Sequence, residues 1–242
     1  MENIVFEAMS DQFVLWRCLH AGPLSNRSID GWPKDSQIPW ENYRKRNLPL
    51  LHKVTSTYGA CAILARIGDE VIGHLRFYPR AVCDLLEAGG LCMLQDFPAG
   101  PTADLVDREF PTLDKIKDKT LTIHCFMIAT SKKSVNPYLR KGIGSGMVRF
   151  LIQWAAANGW DRLEVDAFED LPVIYEITGS AGHTFWGKLG FHIVARHPHP
   201  HLQGQDEFVL KLERQASTLG IPADKAKERI IMRLNLQPAE SD

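Results

Sequence analysis

Residues 121–167 constrain the fold more than any other stretch of the chain. Leu121 to Thr130 (LTIHCFMIAT) is an almost unbroken apolar run, as suits a central strand covered on both faces. Then comes Tyr138-Leu139-Arg140-Lys141-Gly142-Ile143-Gly144-Ser145-Gly146, three alternate glycines behind two cations. Ile143, Met147, Phe150, Leu151, Trp154 and Ala155 recur at helical spacing, and Asn158-Gly159 supplies a stop. Leu163, Val165 and Ala167 alternate with Arg162, Glu164, Asp166 and Phe168, which is strand periodicity. Strand, helix and strand with so short a return form a parallel crossover, right-handed by default.

The turn at the centre of this unit has a chemical meaning. Glycine has no Cβ, so backbone N–H groups can approach a ligand closely. The first turn of a helix has unpaired N–H groups and a partial positive charge. Together they make an anion site, most often for phosphate, and Arg140 and Lys141 strengthen it. An ordinary tight turn before a helix has the same outline. A P-loop, G-x-x-x-x-G-K-[ST], is absent. A dinucleotide fingerprint needs G-x-G-x-x-G at the very end of a strand. Here Gly146 is misplaced for it, and Ser131 to Asn136 separates strand from glycines. Glu164 does stand where a ribose-binding acid would, so a dinucleotide-dependent oxidoreductase is a second alternative.

The remaining chain supplies the other layers. Ala60–Ile67, Gly68-Asp69-Glu70 and Val71–Tyr78 form the best hairpin signal, and strands joined so closely are antiparallel. Ile4–Ala8 reads as a first strand. Asp11 is placed to cap a helix to about His20, residues 21–39 read as a surface loop, and Trp40–Ser56 as a helix with Pro49 a potential break. Residues 81–118 read as an insertion with one short helix. Glu169–Thr178 is an acidic loop, Gly182–Leu189 a short helix closed by Gly190, and Phe191–Ala195 a strand. Phe208–Leu212 suits a last strand and Ala223–Leu236 a charged helix. The expected organisation is a domain over 1–213, interrupted at 81–118, with a helical tail over 214–242.

Composition sets the outer bounds. The chain has 242 residues, 45% of them hydrophobic, enough for an ample core. The net charge is −1, so no basic face for nucleic acid is expected. No apolar run is long enough to span a bilayer, and no membrane partner is expected. The N-terminus, MENIVFEAMSD, lacks an apolar signal core. The five cysteines are scattered without C-x-x-C, which reads as reduced thiols in a cytoplasm. Cys83 and Cys92 do not have metal-ligand spacing. In His197-Pro198-His199-Pro200-His201 the prolines favour an extended threefold helix that points the imidazoles apart. No metal is expected. A homodimer is compatible with all of this.

Two motifs carry a resemblance. LTIHCFMIAT…YLRKGIGSGMVRFLIQWAAANGWDRLEVDA resembles the central motif of the GNAT (Gcn5-related N-acetyltransferase) superfamily, and SAGHTFWGKLGF resembles its next motif, the short helix ending in Leu-Gly-Phe. The likeness covers roughly residues 60–78 and 119–213. It implies an α/β (α+β) GNAT fold: a mixed, mostly antiparallel sheet of about seven strands with one parallel strand–helix–strand crossover, flanked by helices. It also implies an acyl-CoA-dependent N-acyltransferase that moves acetyl from acetyl-CoA to a small-molecule or peptide amine by direct attack in a ternary complex. Leu139, Arg140, Lys141, Gly142, Ile143, Gly144 and Ser145 would carry the pyrophosphate. Main-chain groups of Met127, Ile128 and Ala129 would pair with the pantetheine arm. The family has Arg or Gln where this chain has Leu139, and backbone amides at that position serve equally well.

Acyl transfer to an amine needs a neutral amine, a stabilised carbonyl oxygen and a protonated leaving thiolate. A backbone N–H near Met127 could hold the carbonyl. His124, Glu164 and Asp166 border the expected cleft as base candidates, His124 with the most suitable unperturbed pKa. Each also has a structural reading, as a core histidine or a paired carboxylate. The family's general acid is a tyrosine on the short helix, and this chain has Trp186 there. Indole is no proton donor at neutral pH, so either Tyr175, His183 or Tyr138 serves, or the thiolate leaves unassisted, or activity is lost, with Trp186 packing on the pantetheine arm. A catalytically weak or inactive CoA-binding sensor or interaction protein is therefore the first alternative.

Overall fold

A computed structural model of the chain describes residues 3–31, 40–88, 109–130, 136–178, 181–199, 202 and 204–236. In chain order these form β1 (Val5–Ala8), α1 (Trp40–Tyr58), β2 (Ala62–Ile67), β3 (Glu70–Pro79), α2 (Arg80–Ala88), β4 (Thr120–Ile128) and α3 (Ile143–Ala157). Then come β5 (Arg162–Ala167), α4 (Pro172–Thr178), α5 (His183–Gly187), β6 (His192–Pro198), α6 (Asp206–Thr218), α7 (Ala223–Ala226) and β7 (Glu228–Asn235). The seven strands have the order β1-β2-β3-β4-β5-β7-β6. The sheet is mixed and mostly antiparallel, with one parallel pair, and helices flank it. Two compact units divide the chain, one running to Asp161 and the other Arg162–Leu236.

In the first unit β1, β2, β3 and β4 pair antiparallel in sequence order. Side chains alternate between faces along a strand. On one face lies α3. Gly73 of β3 sits 3.2 Å from Ile143 Cγ2 and Met147 Cε, counted from where its Cβ would be, and Phe77 meets Trp154 with ring centroids 5.2 Å apart. The other face carries His74 and Arg76 and is covered by residues 9–24. The Arg76 guanidinium donates from Nη2 to the Leu15 carbonyl at 2.7 Å, and the Leu19 amide meets Met127 Sδ at 3.3 Å. Helix α1 lies against this cover: Asn47 donates to the Trp16 carbonyl, and Trp40 packs edge-on to Trp16. The helix continues through Pro49, which donates no bond to its ladder.

Residues 11–20 are not the helix that their apolar spacing suggests. Phe13, Leu15, Trp16 and Leu19 are buried as expected, yet their backbone is irregular. A helix would need the carbonyls of this stretch for its own ladder. Here Arg76 takes that of Leu15, Asn47 that of Trp16, and the Thr130 amide that of Leu19. Arg17 holds the next turn through the carbonyls of Ser28, Ile29 and Gly31. The surface-loop reading of 21–39 is testable over 21–31 alone, where Leu24 forms a bridge to Val71. Within the expected insertion, α2 is the short helix, and 89–108 lie outside the described residues.

In the second unit β7 lies between β5 and β6 and pairs antiparallel with both. Helices α4, α6 and α7 share a core of Leu171, Val173, Ile174, Leu212, Ala216 and Ala226. Three expectations are corrected here. Phe208–Leu212 belongs to helix α6, because Phe208, Leu212 and Ala216 recur every fourth residue and face that core. Residues 228–235 form a strand, because Ile230 and Met232 are buried while Arg229 and Arg233 on the other face meet β5 carboxylates. The expected domain boundary at 213 thus falls inside α6, and the supposed helical tail contributes a strand to the sheet. The acidic stretch after β5 is also partly helical, since α4 begins at Pro172. The His-Pro run is no threefold helix over its described part: His197 and Pro198 extend β6, and the His199 amide bonds the Lys227 carbonyl. His201 lies outside the described residues.

Candidate functional site

The glycine turn takes its shape from two left-handed residues. Arg140 has φ +58° and Gly142 φ +74°, in the region that favours glycine. Gly142 is the residue before α3, and no side chain caps the helix there. Gly146 donates to the Gly142 carbonyl at 2.8 Å. The amides before it open the helix without a carbonyl four residues back to receive them. Leu139, Arg140, Lys141 and Gly142 are exposed, while Ile143 and Gly144 are buried. The turn thus presents main-chain donors next to two solvated cations, which suits a phosphate.

The three glycines have separate jobs. Gly142 is conformational, and a Cβ there would meet nothing within 4 Å. Gly144 is a packing glycine: a Cβ would stand 2.7 Å from Phe126 Cζ of β4. Gly146 is a second, pressed on the Phe6 ring of β1. Close packing at both positions seats the start of α3 directly on the sheet. Asn136 fixes the approach. Its Nδ2 donates to the Ala129 carbonyl at 2.9 Å, and its Oδ1 accepts from the Tyr138 amide at 3.0 Å. Asn136-Pro137 is a turn-initiating pair, a signal that sequence reasoning passed over.

Strand β4 carries an extra residue. Arg76 pairs with Cys125 but Phe77 with Ile123, so His124 is the bulged position. A bulge re-aims a side chain, and the half-buried His124 ring stands 5.6 Å from the Tyr78 ring. Further along, Ala129 donates to the Ile72 carbonyl at 2.8 Å and its carbonyl is taken by Asn136. Backbone groups of an antiparallel strand alternate in direction. Met127 therefore points its main chain towards β3, as Ala129 does. The groups directed away from β3 belong to Phe126 and Ile128. Of the three residues expected to line the pantetheine arm, Ile128 directs its main chain away from β3, and Met127 and Ala129 direct theirs towards it.

In the second unit Glu164, Asp166 and His183 are already engaged. Glu164 is 5% exposed and accepts from Arg233 Nη2 at 2.9 Å. Asp166, on the same face of β5, pairs with Arg229 at 3.4 Å. Both carboxylates are cross-strand ion-pair partners, which favours their structural reading. Tyr175 lies on α4 with its side chain 53% exposed. His183 faces Asp170 at 3.2 Å. Trp186 is 2% exposed and packs edge-on to Phe185 and Phe191 at centroid distances of 5.1 and 5.3 Å. It sits in the core, which favours its packing reading.

No family model matches the chain, and no curated protein matches it. Solved structures do. A putative GNAT-family acetyltransferase from Desulfovibrio desulfuricans is 11% identical at a TM-score of 0.47, covering 97% of this chain and 100% of that one. The ribosomal-protein-S18-alanine N-acetyltransferase from Escherichia coli is 9% identical at 0.47, covering 99% and 98%. A GNAT-family acetyltransferase from Elizabethkingia anophelis with acetyl-CoA bound is 12% identical at 0.41, covering 98% and 100%. Hairpin, central strand, glycine turn, helix, strand and short helix follow one another in the order the sequence resemblance implies. On that order and on its strand topology, the chain has the GNAT fold.

Proposed function

We propose that the protein is an acyl-CoA-dependent N-acyltransferase, with acetyl-CoA as donor and an amine as acceptor. The observation that carries this reading is the uncapped start of α3, entered through left-handed Arg140 and Gly142. The amides of Ile143, Gly144 and Ser145 would hold the diphosphate of the donor, with Arg140 and Lys141 adding charge. The outward main-chain groups of Phe126 and Ile128 would pair with the pantetheine arm, and an amide there would polarise the thioester carbonyl. The amine would attack that carbonyl directly, and CoA would leave as the thiol. His124, at the bulge of β4, is the base candidate on the strand that would carry the donor. It would take the proton from the amine directly or through water.

Isothermal titration with CoA, acetyl-CoA and NAD, followed by thiol release over an amine panel, tests this. We expect both CoA forms to bind and NAD not to. Arg140→Glu/Lys141→Glu should weaken CoA binding by about tenfold or more, since two charge-assisted contacts become repulsive. Binding of NAD without CoA would overturn the reading.

A second reading has its own observation. Trp186 is sealed in an aromatic cluster, so the usual acid position holds no proton donor. A CoA-binding sensor needs none. CoA binding without turnover on any amine would favour it.

A further inference from the structure

One face of β3 and β4 holds a group of polar side chains that the acyl-transfer reading does not use. His74, Arg76 and Tyr78 alternate along β3 on the face opposite α3. Arg76 pairs in register with Cys125, and Tyr78 with Thr122. Three buried side-chain atoms here have no hydrogen-bond partner among the described residues: His74 Nδ1, Arg76 Nε and Thr122 Oγ1. His74 is 1% exposed, and an orphaned polar atom at that depth asks for an explanation.

The chemistry of the three is one-sided. Arginine has donors and no acceptor. His74 Nε2 lies 3.3 Å from Cys125 Sγ. With the thiol donating to Nε2, the proton of the neutral ring sits on Nδ1, which is then a donor as well. A threonine hydroxyl supplies a third. The threonine hydroxyl can also accept, yet all three groups can donate together, which suits a ligand with acceptor oxygens.

The charge points the same way. Among the described ion pairs none reaches Arg76. The groups around its guanidinium are the Tyr78 phenol and the thiols of Cys125, Cys61 and Cys18, which are uncharged at neutral pH. Burial, with Arg76, His20 and His124 nearby, holds His74 well below the ordinary histidine range, so it is neutral. The cluster therefore carries one fixed positive charge without a counter-charge. That matches a monoanion, a carboxylate, better than a phosphate dianion. Arg76, Thr122, His124 and Cys125 are partly exposed, while the three orphaned atoms are themselves buried.

We propose that His74, Arg76 and Thr122 form a carboxylate-binding site, and that the amine acceptor is a carboxylate-bearing, amino-acid-like compound. The role as acceptor subsite rests on the acyltransferase reading. The anion site itself does not.

The test follows the Arg76 Nε–Hε and His74 side-chain resonances of the full chain by NMR. The probes are propionate and N-acetylglycine, compared with propionamide, N-acetylglycinamide and inorganic phosphate. We expect saturable shifts at Arg76 and His74 with both carboxylates and not with the amides, while Arg17 stays still. Equal response to amides, or none to carboxylates, means that water alone satisfies these atoms and overturns the proposal. So does tighter binding of phosphate. In turnover with acetyl-CoA, amino acids should outperform their amides by about tenfold or more in kcat/KM, as a charge-assisted bidentate contact would give. Arg76→Lys should erase that preference through KM while CoA affinity holds. A chain that binds no CoA sinks the acyltransferase reading and leaves the resonance test to decide the anion site.

Discussion

At the scale of single residues, the glycine motif was legible but its meaning was divided. Alternate glycines before a helical run marked a turn that opens a helix, as the structure has it. They could not show that Gly142 supplies a left-handed backbone while Gly144 and Gly146 supply room for Phe126 and Phe6. That depends on which strand lies beneath, a long-range fact. The distinction is measurable. Gly144→Ala should destabilise the fold by about 1–3 kcal/mol through overpacking, despite alanine's better helix propensity. Pairing it with Phe126→Leu should recover most of the loss. Gly142→Ala should cost about 1–2 kcal/mol from backbone strain alone, with no recovery from Phe126→Leu. Chemical denaturation of the single and double variants decides, and equal behaviour at the two glycines would contradict the assignment.

At the scale of elements, β2, β3, β4, α3 and β5 could be read within a residue or two because their apolar periodicity was unambiguous. The errors cluster where one pattern serves two structures. Phe208-Val209-Leu210-Lys211-Leu212 alternates like a strand, and Ile230, Ile231 and Leu234 space like a helix. In each case the partner decided: a helical core around Leu212 and Ala216, and the Glu164–Arg233 pairing across β5 and β7. Residues 11–20 failed for another reason, since buried Arg17 and half-buried Arg76 claim carbonyls in and around that stretch. Arg17 also lies 5.4 Å from the Trp40 ring centroid. Both Arg17→Met and Arg17→Lys should lose about 2–4 kcal/mol, because neither side chain reproduces a planar fork on three carbonyls. Urea denaturation measures it, and a loss under about 1 kcal/mol would show that the turn at 25–31 needs no such tie.

At the scale of the whole molecule, the mixed, mostly antiparallel sheet of about seven strands was implied by the resemblance of two motifs, and the strand order agrees with it. Buried ionisable groups then set the pH range of stability. Burial raises the Tyr58 phenol from 10.0 to about 12 and the Cys61 thiol from 9.0 to about 11. An acid whose folded pKa is raised stabilises the fold below its unfolded value and loses that contribution as pH climbs to the folded one. Stability should therefore fall between about pH 9 and 12, and Tyr58→Phe should flatten part of that limb. His74 is lowered, mainly by burial. Its contribution is full above the unfolded value of 6.5 and is lost as pH drops towards the folded one. Denaturation midpoints across pH check both limbs, and a curve flat on the acid side would contradict a buried neutral His74.

The central claim is that the amides opening α3 hold the diphosphate of coenzyme A, and a crystal structure with acetyl-CoA bound addresses it directly. The account predicts diphosphate oxygens about 2.7–3.2 Å from the amide nitrogens of Ile143 to Ser145. A diphosphate held elsewhere on the chain, with those amides facing only water, would contradict it.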